Sequence, residues 1–200
     1  MKKTTICILL LLSTLNYAQT EIALGENDKL IYLDSTWIET SKENHEYYRI
    51  VKDYNLELKE YKVLEYFKSN QLRKETILNG KGFGSTNGEE TVYYENGKKL
   101  SMINYVNGMP TGKSISWYDN GNIKEEGEYT GNYEIAGKHY KLTQYWDEKN
   151  NHQVIDGNGT YSCGDKVDYI ETGAYKNGFK DGVIEGKNLK KIVLLLRSTI

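Results

Sequence analysis

The chain has 200 residues, with 26 Lys and Arg against 28 Asp and Glu, a formal charge of −2. That balance excludes the positive field of a dedicated nucleic-acid binder. With 27% charged and 38% hydrophobic residues, it is neither a membrane helix bundle nor an acidic disordered chain. The 18 Tyr and 19 Gly against a single Pro, Pro110, suit short strands joined by tight turns better than helices.

The first segment, residues 1–18, reads as a secretory signal peptide. Lys2 and Lys3 are its positive region, residues 6–15 its apolar run, and Ala18 the small residue before a cut that leaves Gln19 first. The apolar run is too short for a stable span of about 20 residues. The alternative is an N-terminal anchor. Cleavage predicts a periplasmic or secreted protein of charge −4, with no membrane span remaining. It also removes Cys7 and leaves Cys163 as the only thiol, so no intrachain disulfide can form. Cys163 reads as a half-buried strand residue.

Residues 19–65 form a leader of β character. Lys29 to Asp34, Trp37 to Glu39, Tyr47 to Val51 and Tyr61 to Tyr66 are its predicted strands.

Residues 66–186 repeat. Tyr93-Tyr94-Glu95-Asn96-Gly97 returns as Trp117-Tyr118-Asp119-Asn120-Gly121 at an offset of 24 residues, and Tyr105 returns as Tyr129 at the same offset. Tyr145-Trp146-Asp147-Glu148-Lys149-Asn150 is a degenerate copy, and Tyr66-Phe67-Lys68-Ser69-Asn70 an earlier worn one. A second signature, Tyr105-Val106-Asn107-Gly108 with Gly112, matches Tyr175-Lys176-Asn177-Gly178 with Gly182. Asn-Gly occurs seven times and predicts type I′ turns, in which both central residues need φ > 0. Each unit is therefore one β-hairpin, and neighbouring hairpins must pair because a lone one is marginal. Residues 131–142 read as an insertion. The tail, 187–200, lacks aromatic residues and departs abruptly from the pattern, as a shifted reading frame would.

These hairpins resemble the MORN-repeat variant family of bacteria, clearly over residues 92–131 and again over 169–186. The resemblance implies an all-β fold, a single-layer antiparallel sheet of tandem hairpins, and a non-enzymatic role. The leader, residues 31–54, followed by such repeats is similar to the extracytoplasmic N-terminal region of Bacteroidetes TonB-type energy transducers. Their receptor-binding C-terminal domain has no counterpart here.

No catalytic, cofactor or metal motif stands out. His45, His139 and His152 lie at no ligand spacing. The Gly-rich stretch 80–84 lacks the register of a phosphate loop, and 156–159 lacks the further ligands of a calcium loop. Glu125 and Glu126 are adjacent, so a strand turns them to opposite faces. The candidate binding surface is an aromatic stripe of Tyr94, Tyr105, Trp117, Tyr118, Tyr129, Trp146 and Tyr175, set either to bind or to pack hairpin on hairpin. The expected partner is a protein of the cell envelope. A glycan is a second ligand class, since Tyr and Trp stack on sugar rings. The reading is a binding or scaffold module, including the truncated leader of a TonB-type transducer. The alternatives are an antitoxin-like protein with an operon partner, and an envelope polysaccharide-active enzyme needing two converging carboxylates.

Overall fold

The computed structural model describes residues 22–81, 84–131, 139–163 and 169–188. The signal-peptide residues, with the Ala18–Gln19 cut, lie outside the described residues, as do 132–138 of the expected insertion and 189–200 of the tail.

All regular elements among the described residues are strands. They are β1 (Lys29–Leu33), β2 (Tyr47–Val51), β3 (Glu60–Phe67), β4 (Leu72–Asn79), β5 (Gly88–Tyr93), β6 (Lys99–Val106), β7 (Met109–Trp117), β8 (Ile123–Tyr129), β9 (Tyr140–Trp146), β10 (His152–Ile155), β11 (Asn158–Cys163), β12 (Tyr169–Lys176) and β13 (Phe179–Asn188). They form one antiparallel sheet of 13 strands in strict sequence order. This is the all-β, single-layer hairpin sheet that the repeats predict. The leader belongs to it: β1 pairs with β2 and β2 with β3, and the junction of residues 65 and 66 falls inside β3. Of the expected strand at Trp37 to Glu39, only an isolated bridge from Glu39 to Leu33 forms. Tyr140–Leu142, read as the end of an insertion, open β9, and Lys187 and Asn188 complete β13.

The two long margins of the sheet carry different turns. Along one margin a single turn recurs at 34–38, 67–71, 94–98, 118–122 and 147–151. In each, the first residue's N–H donates to the last residue's carbonyl and the fourth residue's N–H to the first carbonyl, at 2.8–3.1 Å. The fourth residue has positive φ: Trp37 66°, Asn70 67°, Gly97 83°, Gly121 90°, Asn150 66°. This is a type I turn followed by a left-handed bulge residue. The expected type I′ geometry is thus wrong for Asn96-Gly97 and Asn120-Gly121, because only the glycine turns left-handed. The asparagines serve another purpose. Asn96 Oδ1 accepts from Lys98 N at 3.0 Å, while its Nδ2 donates to the Asp119 carbonyl of the next turn at 2.8 Å. Asn120 does the same with Asn122 N at 2.8 Å and the Glu148 carbonyl at 3.4 Å. The repeated Asn closes its own turn and ties it to the following one.

Type I′ turns do form on the other margin, at Asn107-Gly108 and Asn177-Gly178. A third is Asp156-Gly157, one step before the expected Asn158-Gly159. The reason is register: Ile155 pairs with Asn158, which leaves Asp156 and Gly157 as the two loop residues. These turns also stack. Gly108 N donates to the Thr86 carbonyl, Gly157 N to Thr143 and Gly178 N to Gly157, each at 2.8 Å.

Alternation places the apolar core on one face, called here the core face. Ile31, Leu33, Val51, Tyr61, Val63 and Leu78 form a buried cluster under β1–β4. Leu142, Tyr145, Val154 and Tyr161 form a second under β9–β11. The hairpins between them, β5–β8, place Ile103, Ser101, Ser114 and Ser116 on that face. Beside the first cluster lies a buried carboxylate. Glu65 is 1% exposed. Its Oε1 accepts from Arg49 Nη2 at 2.6 Å, and its Oε2 from Arg73 Nη1 at 3.0 Å. Arg73 in turn lies 4.4 Å from the Trp37 ring, which stacks on Tyr47 at 4.5 Å. That packing holds a bulky residue at positive φ, where one rarely sits.

Candidate functional site

The structure divides the seven stripe residues into three groups, and they do not share one face. Tyr105, Tyr129 and Tyr175 stand on the core face, directly opposite Gly88, Gly112 and Gly159. Each is thus the direct cross-strand partner of a glycine. Tyr94 and Tyr118 begin the recurrent turn. Their hydroxyls donate to the carbonyls of Trp117 at 2.9 Å and Trp146 at 2.8 Å, one repeat further on. Tyr145 extends the series to the Ser162 carbonyl at 2.9 Å. In water-poor surroundings each such bond contributes about 1 kcal/mol.

Trp117 and Trp146 are on the opposite face. They occupy the position just before the recurrent turn. Tyr66 and Tyr93 hold the same position in β3 and β5, so the four rings form a row on β3, β5, β7 and β9. All four are half-buried. Rings on alternate strands of a sheet stand about 10 Å apart. Tyr66 and Tyr93 were not singled out from the sequence, although their place before 67–71 and 94–98 repeats that of the two tryptophans. Residues on adjacent strands support them. His152 stacks on Trp146 at 4.4 Å and is held to Gln144 at 2.8 Å. Lys99 Nζ lies 5.7 Å from the Trp117 ring. At the leader end, Tyr66 stacks on the buried Tyr48 at 4.8 Å.

Polar side chains open beside this row. A cleft of about 270 Å³ next to Tyr93 is lined by Lys62, Glu75, Glu89, Thr91 and Lys99. A shallower groove near His152 is lined by Thr160, Ser162, Thr172 and Glu185. Glu75 and Glu89 share the first cleft, on adjacent strands. Glu75 is ion-paired with Lys62 at 2.6 Å and 38% exposed, whereas a glycosidase acid holds its proton in an apolar setting. Glu125 and Glu126 fall on opposite faces, paired with Tyr145 and Gln144. Cys163 ends β11. Among the described residues, no group of three or more His, Cys, Asp or Glu is placed to hold a metal ion. No helix there is long and apolar enough to cross a membrane.

Burial of the tyrosines has a consequence at high pH. Burial, with Tyr66 and Tyr32 adding to it, pushes the Tyr48 phenol up to about 12. Burial and the hydrogen bond to Glu171 push Tyr161 up to about 12, and burial raises Tyr140 as well. A raised acid binds its proton more tightly when folded. Its contribution is intact below the ordinary value of 10.0 and is lost as pH climbs from there to about 12. Alkaline titration followed by tyrosinate absorbance and circular dichroism should show unfolding over that window. Free titration of every tyrosine near pH 10.0 with the fold retained would contradict it.

No curated protein and no solved structure matches the chain. The MORN repeat variant model matches residues 86–107 and 110–130. Those segments hold the β5–β6 and β7–β8 hairpins, so the chain carries two units of this non-catalytic repeat, placed between its two apolar clusters.

Proposed function

We propose that the protein is a non-catalytic binding and scaffold module of the cell envelope, with the face that carries Trp117 and Trp146 as its binding surface. MORN repeats are generally binding or scaffold modules. The observation that supports the reading here is the division of labour between faces. The apolar clusters lie on the core face, while the row of half-exposed rings and both clefts lie on the other. The Lys2 to Ala18 leader supports an extracytoplasmic location. The similarity of residues 31–54 to transducer leaders extends the reading to a spacer beside outer-membrane receptors.

A photo-crosslinking amino acid in place of Glu126, on the binding face, tests this. It should give a discrete adduct in the envelope fraction, and the same probe at Ser101 on the core face should not. The protein recovered there should begin at Gln19. A product that stays in the cytoplasm with Met1 intact, or equal labelling from both faces, overturns the proposal.

A further inference from the structure

We infer that the cleft beside Tyr93 is a binding site for a zwitterionic dipeptide, with Glu89 holding its ammonium group and Lys99 its carboxylate. The inference rests on the binding-face reading above and names a ligand of that face.

The cleft exists because the sheet is irregular there. Glu75 pairs with Thr91, and the next contact between these strands is the bridge of Leu78 to Thr86. Two residues of β4, Thr76 and Ile77, therefore face four on the other strand, residues 87–90. A bulge of this kind bends its strand and re-aims side chains. It carries Glu89 and leaves Thr76 unpaired on that side. Thr76 lines the cleft, is 1% exposed, and its buried hydroxyl has no hydrogen-bond partner. A volume of about 270 Å³ lies below the roughly 300–1,000 Å³ of sites for drug-sized molecules, so the ligand is small.

Charge selects its class. Lys62 and Glu75 satisfy one another at 2.6 Å. The other two charged groups of the cleft do not pair. The Glu89 carboxylate has one hydrogen bond, a long one of 3.4 Å from the Thr91 hydroxyl. Lys99 forms no ion pair among the described residues, and its Nζ lies 5.7 Å from the Trp117 ring. One open anion and one open cation in a neutral cleft fit a ligand with one charge of each sign, and favour neither a polyanion nor a basic peptide.

Spacing selects its length. Glu89 is four residues from Tyr93, and Tyr93 pairs with Lys99. The two charges thus stand about 13 Å apart along the strand, on side chains roughly perpendicular to the sheet. A dipeptide is about 7 Å long, and a charge-assisted contact of about 2.8 Å at each end fills the rest. A single amino acid is too short to reach both. Between the two ends lie the buried Thr91 and the Tyr93 phenol. Burial raises that phenol, Glu75 and Glu89 add to the effect and Lys62 opposes it, so the hydroxyl keeps its proton and can serve the peptide group. Ile77 supplies apolar wall.

Calorimetric titration of the full chain with dialanine tests the inference, with N-acetyl-dialanine, dialanine amide and free alanine as controls. Dialanine should bind, and blocking either end or removing one residue should weaken binding by about tenfold or more. Glu89→Gln should lose the preference for dialanine over its N-acetyl form while keeping the preference over the amide. Lys99→Met should do the reverse. Circular dichroism shows that each variant is folded. Equal binding of dialanine and its blocked forms, equal binding of alanine, unchanged affinity in folded Glu89→Gln, or no dialanine binding at millimolar concentration overturns the inference. In the last case, a persisting crosslink from position 126 leaves the binding module standing with a protein as its partner, and a lost crosslink removes both readings.

Discussion

Glu65→Ala should destabilise the protein by about 3 kcal/mol, at the low end of the cost of breaking a buried ion pair. The carboxylate is 1% exposed and gathers Arg49 at 2.6 Å, Arg73 at 3.0 Å and Lys74 at 3.5 Å. Removing it leaves three cations converging on an empty site. Their partial exposure, 17%, 27% and 23%, lets water relieve some of the repulsion, which argues for the low end. The damage should spread through Arg73. That guanidinium also lies against Trp37, and the Trp37–Tyr47 stack joins the leader turn to β2. Urea unfolding should therefore show the N-terminal strands loosening first, with a fall in Tm of roughly 6–12 °C. A double-mutant cycle with Arg49→Ala should show strong coupling, because Arg49→Ala costs little once Glu65 is gone. A loss below about 1 kcal/mol for Glu65→Ala would mean that the cluster is solvated and carries little stability.

The second large effect is expected at Gly157. Alanine there meets two separate costs. Its φ of +77° is a region that L side chains occupy at about 1–2 kcal/mol. Its Cβ would also come within 2.5 Å of Gly178 N, a backbone atom with little room to give. The Asn177-Gly178 turn must then move away. That breaks the Gly178 N to Gly157 carbonyl bond and strains the Gly157 N to Thr143 carbonyl bond, both 2.8 Å. Together the losses come to about 3–4 kcal/mol. Gly112 is the control. Its φ is +63° and a Cβ there meets nothing within 4 Å, so Gly112→Ala should cost only the strain, about 1 kcal/mol. Hydrogen exchange should show β10–β13 opening in Gly157→Ala and little change in Gly112→Ala. Equal costs at the two sites would show that turn stacking contributes nothing.

Turn stacking has a physical basis in the single-layer architecture. A repeat sheet is held by nearest-neighbour contacts, and here the middle hairpins contribute few buried apolar side chains. Hydrogen bonds running from repeat to repeat make up part of the difference: the Tyr94 and Tyr118 hydroxyls, the Asn96 and Asn120 amides, and the Gly108, Gly157 and Gly178 N–H groups. The motif residues are thus spent on joining repeats.

The sequence by itself determined the class of fold and its unit. Period-2 alternation, Asn-Gly steps and the offset of 24 residues are local signals, and a meander of adjacent hairpins needs only local pairing. That is why an all-β antiparallel sheet was legible without any long-range information. Turn geometry was only half legible. Asn-Gly suits both a type I′ turn and a type I turn with a left-handed bulge, and the choice depends on how many residues the strand register leaves in the loop. Asp156-Gly157 is the clearest case, since its register lies in the pairing of Ile155 with Asn158. The aromatic surface was legible as residues and not as a surface. A bulge in one strand of a pair, such as those beside Tyr66, Tyr93 and Trp117, shifts the register and decides which residue faces which. Only the assembled sheet could therefore put Tyr105, Tyr129 and Tyr175 opposite glycines on the core face, and gather Tyr66, Tyr93, Trp117 and Trp146 on the other. The buried Glu65 was equally hidden, because three cations from two neighbouring strands make its burial tolerable, and their convergence is a property of the tertiary structure alone.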